Sequence, residues 1–214
     1  MKISIKKISA VSALFLTAAF QPFAAQAQKV NSSIFGDDEF KVFISTNDTS
    51  PGVEFAQGFG WSVNFKNTLY LYPGATDYFL HVWVRDLGGA PTGLLGEFTM
   101  PKPNPRGCRF ANNSVNLLTT AAKNYWTVSP TQAYGPPITG GPFTPLGVPQ
   151  FNNVLPAFDQ ATLTPVSLGT NSGPDPWPTQ SLPGVNVSAH WLWSPENRLP
   201  EAWFTTRITC KKPN

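Results

Sequence analysis

The chain has 214 residues, of which 41 % are hydrophobic and only 13 % charged, with 22 prolines and 17 glycines. Its formal net charge of +3 comes from lysines in the first seven residues, Lys2, Lys6 and Lys7, because the remaining basic residues equal the acids in number. A balanced charge leaves nucleic-acid binding, which depends on a basic surface, without support from the composition, so no nucleic-acid partner is expected.

The amino terminus is typical of a secretory signal. The basic "MKISIKK" is followed by the apolar "ISAVSALFLTAAF" and by small residues at Ala25 and Ala27, which predicts a signal peptide over residues 1–27, cleaved after Ala27. The apolar run is shorter than the roughly 20 residues that span a bilayer, and no other run is as long. We therefore expect a secreted or periplasmic protein of bacterial type without a transmembrane anchor, with residues 28–214 forming one domain.

Turn-forming, β-branched and aromatic residues are abundant, and this composition predicts an all-β domain. In chain order, "DEFKVFIS" alternates apolar and polar residues over 38–45. "WSVNF" places Trp61, Val63 and Phe65 on one face of a second predicted strand, and "TLYLYPG" ends in a turn at Pro73–Gly74.

The next predicted strand, "YFLHVWVRD", sends Leu80, Val82 and Val84 to one face and His81 and Trp83 to the other. "GLLGEFTM" and "YWTVS" follow it as further strands. Period-2 alternation separated by turns is typical of a two-sheet antiparallel sandwich with one buried face per sheet.

Residues 129–183 have a different composition, with twelve prolines among 55 residues. Proline removes ladder donors, so few regular strands are expected there. Apolar residues such as Phe143, Phe151 and Phe158 argue against full disorder. We interpret this segment as a long, ordered, Pro/Gly-rich cover loop that hides the outer sheet face carrying Trp83.

The two cysteines, Cys108 and Cys210, predict a disulfide. In an exported protein the compartment is oxidising, and each cysteine shares a strand face with apolar neighbours, Phe110 for the first and Ile208 for the second. The bond would close a loop of about 100 residues, worth about 4.7 kcal/mol in the chain-entropy model. A redox or nucleophilic cysteine would need a CxxC or partner-histidine spacing, which the chain lacks.

The carboxyl-terminal stretch "SAHWLWSPEN" places Trp191 and Trp193 on one predicted strand face and Leu192 on the other. Three interpretations are open for the indoles. Packing in the sandwich core is favoured, a platform on which a sugar ring stacks is the second, and a protein interface is the third.

Several stretches together resemble a known family. "GDDEFKVFIS", "LYPGATDYFLHVWVRDLGGAPTGLLGEF", "NLLTTAAKNYWTVS" and "AHWLWSPEN" followed by "AWFTTRI" are similar to the galactose-binding-domain-like (jelly-roll) β-sandwiches attached to bacterial α-rhamnosidases and family 2 glycosidases. The resemblance covers about residues 35–210. It implies an accessory fold that binds carbohydrate or packs against neighbouring proteins, without the catalytic domains of those enzymes.

Two departures qualify what the resemblance implies. The Trp-x-Trp strand comes last here, whereas the family places it first, so the chain would be a permuted version whose termini lie close together. In addition, "ISTNDTSPG" stands where the family has an Asn-Gly turn, so no loop contact is carried over at that position.

Candidate ligand-binding residues lie in loops. Trp177 and Asp175 in "PDPWPTQ", with Tyr134 in "AYGPP", are the preferred sugar contacts, because indole and phenol rings stack on sugars and proline keeps such loops stiff. Trp61, after the glycine-rich "AQGFG", is a further contact of the same kind. The alternative for these aromatics is to anchor the cover loop.

Asp37, Asp38 and Glu39 form an acidic run with two possible roles. Carboxylate oxygens suit Ca²⁺, which makes Asp37 and Asp38 weak candidate metal ligands and Ca²⁺ the one cofactor considered. Adjacent strand residues point to opposite faces, however, so a solvated turn is the favoured interpretation.

No catalytic residues are predicted. The chain has two histidines, His81 and His190, and no HExxH or GxSxG motif. An acid–base cluster of His81 with Asp86 and Glu97 is the catalytic alternative, and a packed or surface histidine is the commoner outcome. The sequence therefore favours a secreted, non-catalytic, lectin-like protein that binds a carbohydrate or cell-surface glycan. A structural or adhesive matrix protein with extracellular protein partners is the alternative, and a small secreted hydrolase comes third.

Overall fold

The computed structural model describes residues 27–86, 93–121, 124–131, 158, 163–173, 176, 181–195 and 201–212. These parts of the chain form two antiparallel β-sheets and contain no α-helix. The predicted all-β, two-sheet sandwich is therefore confirmed. No helix capable of crossing a membrane occurs in the described ranges, and the predicted signal segment before Ala27 lies outside them.

Twelve strands follow one another along the chain. They are β1 (Gln28–Asp37), β2 (Glu39–Ser45), β3 (Val53–Phe59), β4 (Phe65–Leu71), β5 (Asp77–Arg85), β6 (Gly93–Thr99), β7 (Arg109–Phe110), β8 (Asn116–Leu118), β9 (Thr127–Thr131), β10 (Val166–Thr170), β11 (His190–Trp193) and β12 (Glu201–Thr209). The first sheet has the order β10-β11-β6-β1-β4, with β8 also paired to β6. The second has the order β3-β2-β5-β12-β7, with β9 also paired to β12.

The main core fills the space between the two sheets. In β5 the alternation holds as predicted, because Leu80, Val82 and Val84 are fully buried in this core while His81 and Trp83 face the other way. The first sheet contributes the even-numbered residues of β1 and β6, such as Ile34 and Phe98. The apolar alternation in the sequence therefore forms the interface between the layers.

Each sheet also buries apolar residues on its outer face. On the first sheet, Phe35 and Leu95 pack with Trp191, Val185 and Ala189. On the second sheet, Phe43, Trp83 and Trp203 pack together, and Phe158 lies against them. Phe158 belongs to the predicted cover loop, whose residues 132–157 lie outside the described part of the chain.

Both tryptophans of "HWLW" are buried, with Trp191 3 % and Trp193 1 % exposed, which agrees with the core interpretation. Their predicted placement on one face is wrong. Trp193 lies in the main core with Leu192, and its ring centroid is 6.0 Å from that of Phe204 in the opposite sheet. Trp191 packs on the outer face. Trp193 is the last residue of β11, where the pleat no longer fixes the side-chain direction.

The predicted disulfide between Cys108 and Cys210 is confirmed, with a Cα–Cα distance of 4.0 Å and both residues buried. Cys108 precedes β7 and Cys210 follows β12. Because these strands pair with Phe110 opposite Ile208, the sheet register itself brings the two sulfurs together.

One predicted strand is absent, and two strands are present that the sequence did not predict. "WSVNF" is not a strand: Trp61 and Ser62 form a turn after Gly60, whose φ is +100°, and β4 begins only at Phe65. A strand that the sequence did not predict, β1, runs through a polar Asn-Ser-Ser stretch. The second strand that the sequence did not predict is β10. It occupies a proline-free stretch inside the Pro-rich segment, where a ladder can form.

Candidate functional site

The exposed part of the first sheet's outer face forms a shallow polar groove of about 510 Å³. It exists because β1 alternates: Val30 and Ile34 point into the core, whereas Lys29, Asn31 and Ser33 point outward. The described lining residues are Lys29, Asn31, Ser32, Ser33, Lys66, Asn67, Thr68, Glu97, Thr99 and Gly184.

The strand register arranges the floor of this groove in cross-strand rows. The three rows, read from β4 through β1 to β6, are Lys66–Ser33–Glu97, Thr68–Asn31–Thr99 and Tyr70–Lys29. In the middle row, Thr68 Oγ1 donates to Asn31 Oδ1 over 3.1 Å. Directly opposed side chains in a sheet have Cβ atoms about 4.5–5.5 Å apart, so each row presents several polar groups within reach of one small ligand unit.

Residues 183–188, which we call the wall loop, form one side of the groove. Asn64 Nδ2 donates to Pro183 O over 2.7 Å, and Ser33 Oγ lies 2.7 Å from both Asn64 Oδ1 and Gly184 O. Asn186 donates its backbone N–H to Glu97 Oε2 over 2.9 Å. Ser33 and Glu97 of the floor, together with Asn64 just before β4, therefore hold the wall loop in place.

Apolar packing fixes the same loop from behind. Val185 and Ala189 are buried against Phe35 of β1 and Leu95 of β6. The same two strands form part of the groove floor. Buried Asn171 donates from Nδ2 to Val185 O over 3.0 Å. The wall loop thus has a buried apolar anchor and satisfied backbone groups, which is the arrangement expected of a preformed site.

A second recess, of about 350 Å³, adjoins the groove and shares Glu97 with it. Its described lining includes Asn112, Asn116 and Tyr125, together with Asn186 of the wall loop. Along β4, Tyr70 is 49 % exposed, and Tyr72 just after the strand is 72 % exposed. The face therefore combines amides, hydroxyls, two ammonium groups and one carboxylate with exposed aromatic rings at its edge.

The lysines of the groove are not neutralised by the described residues. The ion pairs found among the described residues involve Lys41, Arg85 and Arg207. Neither Lys29 nor Lys66 takes part in one. Lys66 is exposed and Lys29 half-buried, so both ammonium groups are available to a ligand.

The predicted ligand-binding residues lie elsewhere or outside the described ranges. Trp61 is 38 % exposed and does not line the groove, although its loop supplies Asn64 to the wall. Tyr134, Asp175 and Trp177 are not among the described residues, so their proposed sugar contacts stay predictions.

The acidic run is not a solvated turn, contrary to the expectation from sequence, because Asp37 is only 7 % and Glu39 only 2 % exposed. They end β1 and begin β2, where the chain crosses from one sheet to the other. Burial, followed by the hydrogen bond and charge of Asp38, raises the pKa of Asp37 to about 8. Within the described ranges no three acidic, histidine or cysteine side chains are placed to hold a metal ion, so the geometry gives the Ca²⁺ hypothesis no support.

Beside Glu39 lies a buried charge network that the sequence did not reveal. Arg85 Nε is 2.7 Å from Glu201 Oε1, and its Nη1 is 3.9 Å from Glu39 Oε2. The guanidinium also lies 4.7 Å from the centroid of the Trp83 ring. Removing one partner of such a buried pair leaves an uncompensated charge, so we expect substitution of Arg85 or Glu201 to destabilise the fold.

His81 and Glu97, two members of the acid–base cluster that the sequence suggests with Asp86, lie in different sheets. His81 lies in the second sheet and Glu97 in the first, on opposite sides of the sandwich. Burial lowers the pKa of His81 to about 4, and its Nδ1 is 2.8 Å from Thr205 Oγ1, as expected for a packed neutral imidazole. His190 Nδ1 is 2.7 Å from Ser167 Oγ, but within the described ranges no carboxylate completes a triad.

No protein-family model, curated protein or solved structure matches this chain. The fold class therefore rests on the two antiparallel sheets themselves, which are compatible with a jelly roll.

Sequence reasoning missed the groove, although a signal for it was present. In "QKVNSSIF" the odd positions 29, 31 and 33 are polar and positions 30 and 34 are apolar. In "FKNTLYL" positions 66, 68 and 70 alternate with Leu69 and Leu71. What the sequence did not contain was the pairing of these two strands, which sets the rows.

Proposed function

We propose that this protein is a secreted, non-catalytic carbohydrate-binding protein that holds a glycan in the polar groove of its first sheet. The observation that carries the proposal is the set of cross-strand rows, in which Asn31 and Ser33 lie between hydroxyl and charged side chains of the neighbouring strands. A sugar presents hydroxyl groups that both donate and accept, and amide and hydroxyl side chains match both roles.

The aromatic edge supplies the second element of sugar recognition. Tyr70 and Tyr72 expose their rings beside the polar rows. A ring with an apolar face and a polar tip suits a ligand that is apolar on one face and hydroxylated at its rim. Because the wall loop is already held by Asn64 and Glu97, little ordering is needed on binding, and less binding energy is lost to it.

A binding role suits this lining better than a hydrolytic one. Glycoside hydrolysis uses two carboxyl groups that flank the scissile bond. Among the described residues that line the groove, Glu97 is the one carboxylate, and it is hydrogen-bonded to the wall loop.

The proposal is tested by screening the mature protein on a glycan array and on insoluble polysaccharides. We expect retention on at least one glycan, and we expect the double substitution Asn31→Ala, Thr99→Ala to weaken that binding about tenfold, since two net hydrogen bonds of about 0.5–1.5 kcal/mol are lost. Asn47→Ala, in an exposed loop of the second sheet, is the matched control and should bind like the unaltered protein.

Two results would contradict the proposal. Retention that is unaffected by Asn31→Ala, Thr99→Ala would place the site outside the groove. Retention on no glycan, combined with self-association that rises with concentration in size-exclusion chromatography, would favour the structural or adhesive alternative.

A further inference from the structure

We infer that the ligand of the polar groove is an acidic polysaccharide, whose carboxylates are contacted by Lys29 and Lys66 while one of its rings stacks on Tyr70. This inference rests on the proposed glycan-binding function and deepens it by assigning the charge and the polymeric nature of the ligand.

The groove carries more positive than negative charge. Two lysines and one carboxylate line it, in a protein whose charges otherwise balance outside the amino-terminal segment. Glu97 already accepts a hydrogen bond from the Asn186 backbone, whereas no described residue forms an ion pair with either lysine. The ammonium groups therefore lack the anionic partners that an acidic ligand would supply.

A lysine and an aromatic ring lie side by side at one end of the groove floor. Lys29 and Tyr70 are direct partners in the β1–β4 ladder, so their Cβ atoms lie about 4.5–5.5 Å apart. Tyr70 is 49 % exposed. A pyranose ring stacked on the phenol would hold an exocyclic carboxylate beside the Lys29 ammonium, so one residue pair recognises both the ring and the acid group of a uronic acid.

The two lysines are well separated along the groove floor. Lys66 is opposite Ser33, which lies four residues along β1 from Lys29. Strand rise and strand spacing place the two Cα atoms roughly 14 Å apart. Because the two lysines lie at opposite ends of the groove floor, acid groups on different units of one chain can contact both ammonium groups at once. A polymer then binds more tightly than its monomer, because the second contact is intramolecular.

The charge of Glu97 determines which side of the ligand faces each strand of the sheet. It lies on the opposite side of Ser33 from Lys66, where its charge repels a carboxylate placed over β6. The acid groups of the ligand would therefore face the β1–β4 side, and its neutral hydroxyl groups would face Glu97 and the adjoining recess.

The test compares pectate with fully methyl-esterified pectin, which have the same backbone with and without free carboxylates. In calcium-free buffer, calorimetry or affinity electrophoresis should show pectate binding that exceeds binding of the esterified polymer about tenfold or more, and galacturonic acid monomer should bind much more weakly. Raising the salt from 0.1 M to 1 M shortens the screening length from about 10 Å to about 3 Å and should weaken only the pectate complex.

Variants locate the effect. Lys29→Gln and Lys66→Gln should each weaken pectate binding about threefold to tenfold, and the double variant should remove the preference for the free acid. Lys29→Arg should retain the preference, because the charge is kept. Lys212→Gln, an equal change of charge at an exposed residue beside Asp77 of the second sheet, should change nothing.

The outcomes separate this inference from the function on which it rests. Equal binding of pectate and esterified pectin, insensitive to Lys29→Gln and Lys66→Gln, would overturn the acidic ligand and leave glycan binding standing. Binding to no glycan, acidic or neutral, would overturn both. Equal binding to duplex DNA as a polyanion control would show simple ion exchange and would also overturn the inference.

Discussion

Asp37 is the residue whose ionisation should most affect the stability of this protein. Its carboxyl lies where β1 passes into β2, and burial together with Asp38 raises its pKa to about 8. Burial likewise raises the pKa of Glu39, against the lowering effect of Arg85. His81 shows the opposite case, since its burial disfavours the charged imidazolium and lowers its pKa to about 4.

These shifts predict that the protein loses stability as the pH rises above about 6.5. The stability that Asp37 contributes is fully present below its unfolded pKa of 3.8 and is lost as the pH rises towards 8. His81 has its unfolded pKa at 6.5, and its contribution is lost as the pH falls from there towards 4. The two effects oppose each other below pH 6.5, and above pH 6.5 the loss of stability comes from Asp37.

The measurement is urea unfolding, followed by tryptophan fluorescence from pH 4 to 9. Asp37→Asn removes the titrating group and should flatten the loss of stability between pH 6.5 and 8. Asp77→Asn is the control, because hydrogen bonds from Arg207 lower the pKa of Asp77 and its contribution changes only in acid. An unchanged slope in Asp37→Asn would show that Asp37 does not retain its proton.

At the scale of elements, the wall loop depends on a few side chains of the sheet. Asn64 bonds both Pro183 O and the Ser33 hydroxyl. Gly184 has a φ of +89°, and a Cβ there would collide with Asn64 Nδ2, so the glycine is required where loop and sheet approach each other.

Asn64→Ala should therefore loosen the wall loop without unfolding the domain. We expect faster amide hydrogen exchange over residues 183–188, glycan binding weakened about threefold to tenfold, and a cost of about 1 kcal/mol in global stability. Gly184→Ala should act in the same direction through strain and the collision. Asn47→Ala should leave exchange in the wall loop unchanged, and an equally protected wall loop in Asn64→Ala would contradict its proposed support.

The strand β11 shows where period-2 reasoning fails. Alternation assigned Trp191 and Trp193 to one face, yet Trp193 enters the main core and Trp191 the outer face. The opposing strand β10 carries a register irregularity between Ser167 and Gly169, and Trp193 ends its strand. Alternation is reliable inside a long strand such as β5 and weak in four residues beside a bulge.

For the whole molecule, the disulfide is the covalent link most relevant to stability. Cys108 and Cys210 are 102 residues apart in sequence, so the chain-entropy model gives a loss of about 4.7 kcal/mol when the bond is removed. Cys108→Ala together with Cys210→Ala should lower the free energy of unfolding by about 2–5 kcal/mol.

This loss is measured by urea unfolding of the oxidised, reduced and substituted proteins. The reduced protein should match the double variant if the covalent bond, rather than packing of the sulfurs, is the source of the stability. A difference below about 1 kcal/mol between oxidised and reduced protein would contradict a stabilising role.

The sequence was sufficient for the fold class, several strands and the disulfide, because these depend on local alternation and on two cysteines with no other partner. It was not sufficient for the candidate groove. Lys29 and Lys66 become neighbours only through the pairing of β1 with β4, and Gly184 joins them from more than a hundred residues further along the chain. The buried Arg85–Glu201 pair was missed for the same reason.

The outward residues of β1, which line the groove, alternate with inward residues that hold the domain together, and this restricts how the groove can change in evolution. A one-residue insertion in that strand would turn Val30 and Ile34 towards water and a lysine into the apolar layer. Exchanges at positions 29, 31 and 33 therefore alter the groove and leave the core intact, whereas a change in the length of β1 disrupts both.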